Sequence, residues 1–377
     1  MTLIPVPFAG NGREFNPRGP DCSRFQVSGL RFIRPTDSLI LQHLPADRKG
    51  YLIPFGGNAP LLAGAAACFA PKAKIVAIEP DMHDYKAGLR KLEPFKNIKL
   101  ECLADMPENN GCDTFLFSSD GNFDRLLFLD TVERAAQVLP EGSIVLISMD
   151  KARAKELVNK MNEYFAKGSV IDRSADAVLF RGVTEAGRCK WTERLAPYEV
   201  DSRDAQLKMV SRPGVFCHAR VDLGGIALAE SCELRDGDRI LDLGCGAGMV
   251  GLILAEKARR ANLKVEVVMV DSHARAVDCA RRNVVLNGFE RCSAIQDDEF
   301  RDTKGYDMIV ANPPYYAGQR IGDRFLVASK ELLKPDGFLV MVSKHGDRLA
   351  ASAQEIGFQT RDGKRKGYDI TICSVKQ

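Results

Sequence analysis

The sequence predicts an α/β protein made of two copies of one unit, each with a mostly parallel sheet. Short apolar runs alternate with helical patterns along the chain, which is typical of a parallel sheet covered by helices. The same order of runs then recurs: Glu79 and Asp271 end matching strands 192 residues apart, and Gly142 and Gly337 lie in matching turns 195 residues apart. So constant an offset favours an internal duplication over coincidence between two unrelated domains.

The first copy is predicted over residues 1–183, with an irregular lead-in rich in Gly and Pro over residues 1–30. Residues 184–225 are predicted to be a connecting segment that holds the single tryptophan, Trp191. The predicted strands of the first copy are Leu52–Phe55, Lys74–Glu79, Thr114–Phe117 and Ser143–Ser148, and its predicted helices are Leu61–Phe69 and Arg125–Val138.

The second copy is predicted over residues 226–377, with a helix from Met249 to about Lys257. The basic segment Arg361–Gly367 is predicted to be a solvated turn, with contact to RNA phosphates as the alternative. The predicted strands of this copy are Arg239–Leu241, Lys264–Asp271, Tyr306–Val310, Leu333–Val340 and Tyr368–Val375.

Composition narrows the class of protein. The 377 residues are 45% hydrophobic and 27% charged, which is typical of a folded chain and not of a disordered one. Apolar runs of about 18 residues are absent and the N-terminus lacks the pattern of a signal peptide, so we expect no membrane span. The eleven cysteines form no Cys-x-x-Cys pair, so we expect no metal site, no disulfide framework and a cytoplasmic location. A net charge of +3 permits an RNA partner without requiring one.

A glycine-rich turn follows the strand at Arg239–Leu241 and precedes a helix. Its residues are Asp242, Gly244, Cys245, Gly246 and Gly248. Glycines permit positive φ and let a ligand approach the backbone, and the helix N-terminus points its amides at that ligand. The last glycine lies one position earlier than in the dinucleotide fingerprint, and the acid before the turn would repel a pyrophosphate. The turn therefore predicts a ligand with a positive or hydrogen-bond-donating group.

Two further acids are candidates for ligand contacts at the same sheet edge. Asp271 ends the next strand, 23 residues after Gly248, where a carboxylate can accept hydrogen bonds from ribose hydroxyls. Asp297 precedes the strand at Tyr306–Val310 and is the candidate acceptor for an adenine amino group. The alternatives are a capping or solvated acid for Asp271 and a solvated acidic loop for Asp297.

The most specific motif is Asn312-Pro313-Pro314-Tyr315, which follows a strand and so lies at the same edge as the glycine turn. Prolines stiffen the backbone and leave carbonyls available as acceptors. The Asn312 oxygen and the Pro313 carbonyl form a pair of acceptors for an exocyclic amino group, and Tyr315 offers a face for a base to stack on. Two acceptors localise the lone pair of an aryl amine towards an electrophile. The motif predicts catalysis on an amino group.

The first copy lacks both signatures. Gly56-Gly57-Asn58-Ala59-Pro60 stands where the second copy has its glycine turn, and Ser118-Ser119-Asp120-Gly121 stands where it has Asn312–Tyr315. Proline supplies no amide and no positive φ. We therefore expect the second copy to carry the chemistry.

On these motifs, the second half resembles class I S-adenosylmethionine-dependent methyltransferases that act on amino groups. The whole chain resembles the tandem-domain ribosomal RNA guanine-N2 methyltransferases of bacteria. The resemblance implies two tandem Rossmann-like methyltransferase domains with a degenerate N-terminal copy that positions RNA, S-adenosylmethionine as cofactor, and ribosomal RNA or a ribosomal subunit as partner. The stretch Ser211–Phe216 resembles the family's lead-in to its cofactor loop, and it implies that Phe216 and Asp222 line the cofactor site.

One departure keeps alternatives open. The family usually has phenylalanine at the position of Tyr315, whereas tyrosine is more typical of adenine-N6 and glutamine-N5 methyltransferases. Adenine-N6 methylation of RNA or DNA and glutamine-N5 methylation of protein therefore remain alternatives to guanine N2. A non-catalytic RNA-binding scaffold is the alternative from outside the enzymes.

Overall fold

The computed structural model describes residues 34–54, 59–108, 110–119, 123–298, 305–313, 319–344 and 346–375. The chain divides into two compact units, with the boundary between Arg194 and Leu195. Each unit has its own hydrophobic clusters, and none of these clusters draws residues from both units.

The first unit has five helices and seven strands among its described residues. The helices are α1 Pro35–Gln42, α2 Ala59–Phe69, α3 Met82–Leu92, α4 Arg125–Val138 and α5 Lys151–Tyr164. The strands are β1 Gly50–Ile53, β2 Lys74–Ile78, β3 Ile98–Glu101, β4 Thr114–Ser118, β5 Ile144–Asp150, β6 Ala166–Arg173 and β7 Ala177–Val183.

The second unit opens with a hairpin and then repeats the same succession of elements. Its helices are α6 Leu223–Ser231, α7 Met249–Arg260, α8 Ala274–Leu286, α9 Gln319–Leu332 and α10 Gly346–Ile356. The hairpin is β8 Ala196–Asp201 and β9 Gln206–Ser211, and the remaining strands are β10 Arg239–Leu243, β11 Glu266–Asp271, β12 Cys292–Gln296, β13 Tyr306–Ala311, β14 Leu333–Ser343, β15 Phe358–Arg365 and β16 Tyr368–Val375.

The two large sheets have the same strand order. The order is β3-β2-β1-β4-β5-β7-β6 in the first unit and β12-β11-β10-β13-β14-β16-β15 in the second. In each sheet the first five strands pair in parallel and the last two pairings are antiparallel, so only β7 in the first sheet and β16 in the second run against the other strands. The central strands are buried along most of their length because helices cover both faces, as their apolar runs predict. The predicted duplicated, Rossmann-like α/β fold is confirmed.

Two local predictions are corrected. Arg361–Gly367 is not simply a turn: residues up to Arg365 belong to β15 and pair with β16, and only Lys366 and Gly367, both with positive φ, make the turn. The segment 184–225 is not simply a connection, because it contains the β8–β9 hairpin and the start of α6. Trp191 belongs to the first unit, where its indole Nε1 donates to the buried carboxylate of Asp130 at 3.0 Å.

Several predictions concern residues outside those described: the lead-in 1–30, Gly56–Asn58, Asp120–Gly121, Pro314 and Tyr315. Within the described part, no helix is long and apolar enough to cross a membrane. The described ranges also contain no cluster of three His, Cys, Asp or Glu side chains arranged to hold a metal ion. Ten cysteines fall in these ranges, and all are free thiols.

Candidate functional site

The glycine loop lies between β10 and α7 at the carboxyl edge of the second sheet. Gly244, Gly246 and Gly248 all have positive φ, at 75°, 56° and 85°. The amides of Gly244 and Cys245 donate to the Val270 carbonyl at 2.8 and 3.0 Å, which fixes the start of the loop to β11. Glycine is needed at these three positions because residues with a Cβ rarely adopt positive φ.

Two of these glycines face different surroundings. A Cβ built on Gly248 would stand 2.9 Å from the Met269 sulfur and 3.2 Å from the Ala280 Cβ, so this glycine lets α7 pack closely on β11 and α8. A Cβ on Gly246 would meet no atom of the residues that the structure describes within 4 Å. Open space therefore lies beside the backbone of Gly246, where a ligand could approach the main chain.

Asp242 lies beneath the loop. Its carboxyl group is 2% exposed and accepts a hydrogen bond from the Gly251 amide in α7 at 2.8 Å. Burial raises its pKa to about 7, partly offset by the Gly251 amide, and the nearby charge of Asp271 raises it further. The side chain thus ties the end of β10 to the first turn of α7.

Asp271, at the end of β11, is joined to the same loop. Its Oδ2 accepts from the Gly246 amide at 2.9 Å, and its Oδ1 accepts from the His273 amide at 2.9 Å. The Asp271 carbonyl accepts from the Asp297 amide at 3.1 Å, so the half-buried Asp297 follows at the next strand end. The structure therefore brings the glycine loop, Asp271 and Asp297 together, as their strand-end positions predict.

Asn312 directly follows β13 at this edge and is half-buried, as is Pro313. Its Nδ2 donates to Oδ2 of Asp222 at 2.5 Å. Asp222 is also the N-cap of α6, where its carboxylate accepts from the amides of Gly224 at 3.2 Å and Gly225 at 2.9 Å. The lead-in acid and the motif asparagine, 90 residues apart, are therefore direct partners.

The lead-in before α6 is an ordered turn with two strained positions. Cys217 and Ala219 have positive φ, and the Arg275 guanidinium donates to the Pro213 carbonyl at 3.2 Å. The Phe216 side chain is 49% exposed, and Leu223, at the start of α6, is 58% exposed. The aromatic ring is available to a ligand and is not part of the core.

Asn283, in α8, also contributes to the site, although no motif of the sequence marks it. Its fully buried amide accepts from the Val210 amide at 2.7 Å and donates to the carbonyls of Val210 and Ala247, both at 2.9 Å. It thereby joins β9, α8 and the glycine loop. A polar residue on the buried face of an amphipathic helix is the one signal that could have found it.

Cys245 is 8% exposed, and burial raises the pKa of its thiol well above the usual value. Its thiolate is therefore disfavoured, and small size explains the residue better than reactivity.

Comparisons with known proteins agree with this geometry. Residues 206–371 match the family model of the methyltransferase small domain. The second unit is a class I methyltransferase domain. The chain is 24% identical over 318 residues to a ribosomal RNA small subunit methyltransferase C of Shewanella loihica, covering 81% of this chain and 90% of the relative. It is 28% identical over 236 residues to a protein of the same name from Pseudomonas syringae, covering 61% and 70%.

A solved structure shares the fold of the entire chain. It is the 16S rRNA N2 G1207 methyltransferase of T. thermophilus in complex with AdoMet and guanosine, which matches with a TM-score of 0.72 and 20% identity, covering 100% of this chain and 98% of the other. The tandem arrangement of methyltransferase folds is therefore shared along the whole length.

The strand register of the two sheets identifies which residues of the first unit occupy the positions of the site residues in the second unit. Ile53 pairs with Ala77 as Asp242 pairs with Met269, so a fully buried isoleucine replaces Asp242. Glu79 keeps the place of Asp271, and burial raises its pKa to about 7. One acid is retained and one is lost.

Proposed function

We propose that this protein transfers a methyl group from S-adenosylmethionine to an exocyclic amino group of a base in small-subunit ribosomal RNA, most specifically guanine N2. The observation that supports this proposal most directly is the position of Asn312. It lies beside the glycine loop, on the sheet edge of a methyltransferase domain. The named relatives support the RNA substrate, because one of them aligns over 90% of its own length.

The residues present fit the cofactor. The open space beside Gly246 and the N-terminus of α7 suit a ligand that lies against the backbone. Asp271 and Asp297 would accept from the ribose hydroxyls and the adenine amino group, and Phe216 would cover the site from the lead-in. The proposed cofactor-binding residues are Phe216, Asp222, Asp242, Gly244, Cys245, Gly246, Gly248, Asp271 and Asp297. When bound, S-adenosylmethionine supplies a methyl group on a positively charged sulfur.

The acceptor pair acts on the target base. The Asn312 Oδ1 and the Pro313 carbonyl would hold the two protons of the amino group, which directs the nitrogen lone pair towards the methyl group. Tyr315, which follows Pro314 in the motif, would stack on the base after it leaves the RNA stack. Catalysis of this kind consists of positioning and electrostatics, and it asks for no metal.

The asparagine provides the direct test. Asn312→Ala removes the acceptor but leaves the loop and Asp271 unchanged. We expect S-adenosylmethionine to bind with nearly the wild-type Kd, while methyl transfer to RNA falls by about 100-fold or more. Calorimetry measures the first quantity, and transfer of tritiated methyl to ribosomal RNA or to purified small subunits measures the second. Full turnover by this variant would refute the proposal.

Adenine N6 is the second candidate, because tyrosine stands at position 315. Mass spectrometry of nucleosides from the methylated RNA separates the two outcomes. N2-methylguanosine supports the proposal, and N6-methyladenosine assigns the same site to the other base. Methyl label recovered in protein would instead indicate glutamine N5.

The remaining roles are proposed on the same basis. We infer that the first unit positions RNA, since it keeps the fold but has Ile53 and Ser118 where the second has Asp242 and Asn312. The free thiols of the described cysteines suit a reducing compartment, and the proposed location is the cytoplasm, where ribosomes are.

A further inference from the structure

Asp222 makes two kinds of contact with one carboxylate. It caps α6 through the amides of Gly224 and Gly225, and its Oδ2 also accepts the Nδ2 of Asn312 at 2.5 Å. A cap needs only the two amide contacts. The third contact reaches across the sheet edge to the residue that holds the proposed substrate amine.

The direction of this hydrogen bond fixes the Asn312 side chain. A carboxylate only accepts hydrogen bonds, whereas an amide has a donating and an accepting end. The amide of Asn312 must therefore turn its NH₂ group to Asp222, which sets Oδ1 on the opposite side. Hydrogen bonds to a charged acceptor are about twice as strong as neutral ones, so this orientation is firmly held.

The first unit supplies an internal comparison. Phe115 pairs with Leu52 as Ile309 pairs with Leu241, so Ser118 stands where the second unit has Asn312. The N-cap of α1 is Arg34 where α6 has Asp222.

Arg34 and Ser118 are also neighbours, but they do not form an acid–amide pair. Arg34 donates to the Ser118 hydroxyl at 3.5 Å and forms a two-bond ion pair with Asp37, with both distances 2.9 Å. Acid and amide are thus replaced together in the unit that also has Ile53 in place of Asp242. The fold does not require the acid–amide pair.

We propose that Asp222 is a positioning residue for methyl transfer, whose carboxylate holds Asn312 with its oxygen towards the substrate amine. This inference rests on the proposed function of the Asn312 site and assigns Asp222 a role beyond cofactor binding. It predicts that turnover requires residue 222 to accept a hydrogen bond from Asn312, and that a residue that donates there instead lowers turnover.

Asp222→Asn keeps the helix cap, because asparagine caps helices as well as aspartate does. It changes only the hydrogen bond that residue 222 makes with Asn312. The new amide must use its oxygen for Gly224 and Gly225, so its NH₂ group faces Asn312. Asn312 then turns its own oxygen to that NH₂ group and presents a donor to the substrate amine. We expect kcat to fall about 10- to 100-fold, the size of one hydrogen bond to a charged group. The Kd for S-adenosylmethionine should change by a smaller factor than kcat.

A matched control is the same change at another aspartate cap. Asp81 caps α3 in the first unit and accepts from the amides of His83 at 2.9 Å and Asp84 at 3.2 Å. Asp81→Asn should leave kcat unchanged. The double variant Asp222→Asn with Asn312→Asp reverses the pair and again turns an acceptor to the substrate, so it should recover part of the kcat lost in the single variant.

Three outcomes overturn the inference: an unchanged kcat in Asp222→Asn, a loss confined to cofactor affinity, or no recovery in the double variant. The side-chain amide resonance of Asn312, assigned with Asn312→Ala, gives a readout that needs no substrate. We expect it to shift in Asp222→Asn and to stay in place in Asp81→Asn, and an unmoved resonance also refutes the inference. Failure of the wild type to methylate RNA would refute the proposed function, and the resonance would still decide whether Asp222 orients the amide.

Discussion

At the residue scale, Asp242 is an acid that the fold itself does not need. It is 2% exposed, whereas the first unit has the fully buried Ile53 at the equivalent register position and forms the same sheet. Burying a carboxylate costs free energy when it is charged, and the single Gly251 amide offsets this only in part. Asp242 therefore ties the end of β10 to α7 at a cost in stability.

That cost depends on pH. The folded-state pKa of Asp242 is about 7, above its usual 3.8, so between these values the folded chain binds more protons than the unfolded chain. The free energy of unfolding should therefore fall as pH rises through this window. Asp242→Asn keeps an acceptor for Gly251 and removes the titration. Urea denaturation at about pH 5 and about pH 8 should show the wild type losing up to about 3 kcal/mol relative to this variant.

Glu79, whose pKa is also about 7, contributes equally to both proteins and cancels in the comparison. Equal pH dependence in wild type and variant would show that Asp242 is not the titrating group.

Much of the site could be predicted at this scale, because strand ends and glycines are visible in the sequence. Asp242, Asp271 and Asn312 lie at the expected sheet edge. The bond between Asp222 and Asn312 could not be predicted, since it joins positions 90 residues apart and depends on where α6 begins. The sequence pattern places residues at the sheet edge, but the packing of the folded chain determines which of them form hydrogen bonds with each other.

At the element scale, Asn283 in α8 and Asn287 at the C-cap of this helix hold the β8–β9 hairpin. Asn287 accepts from the Lys208 amide at 3.1 Å and donates to its carbonyl at 2.8 Å, and Asn283 makes the same pair of bonds to Val210. Their side chains thus pair with β9 as a neighbouring strand would. Only Asn283 also reaches the glycine loop, through the Ala247 carbonyl.

Removing this contact should loosen the loop. Asn283→Ala leaves the half-buried Val210 amide and two carbonyls without their partner, so we expect a loss of about 2–4 kcal/mol in unfolding free energy. Affinity for S-adenosylmethionine should fall as well, because the loop loses a support. Asn287→Ala is the matched control, and it should cost less and leave the affinity unchanged. Denaturation and calorimetry test both, and equal effects on affinity would contradict this role.

Element boundaries show where sequence patterns succeed and fail. Helix α4 has the predicted bounds, Arg125–Val138, because apolar residues recur on its buried face and Asp124 caps it. Strand β15 was missed because it is an edge strand, mostly exposed, whose charged residues at 361–365 carry no alternation of apolar and polar positions. Its pairing with β16 is made by backbone groups, which leave no trace in composition.

At the scale of the whole molecule, one fold is present twice with its chemistry in one copy. Both units have the same strand order and separate hydrophobic clusters. Ile53, Arg34 and Ser118 stand in the first unit where Asp242, Asp222 and Asn312 stand in the second. The core positions set the architecture, and the sheet edge was free to change without altering it.

Separate cores predict that the second unit folds alone. A protein of residues 195–377 should unfold cooperatively and bind S-adenosylmethionine within about three-fold of the Kd of the full chain, because every described site contact lies within that unit. Its methyl transfer to RNA should fall about 10-fold or more, mainly through a higher KM, since the first unit is proposed to position the RNA. Calorimetry and tritiated-methyl transfer measure these quantities on the same preparation. A full transfer rate would remove the positioning role from the first unit, and loss of cofactor binding would show that the second unit depends on the first for its fold.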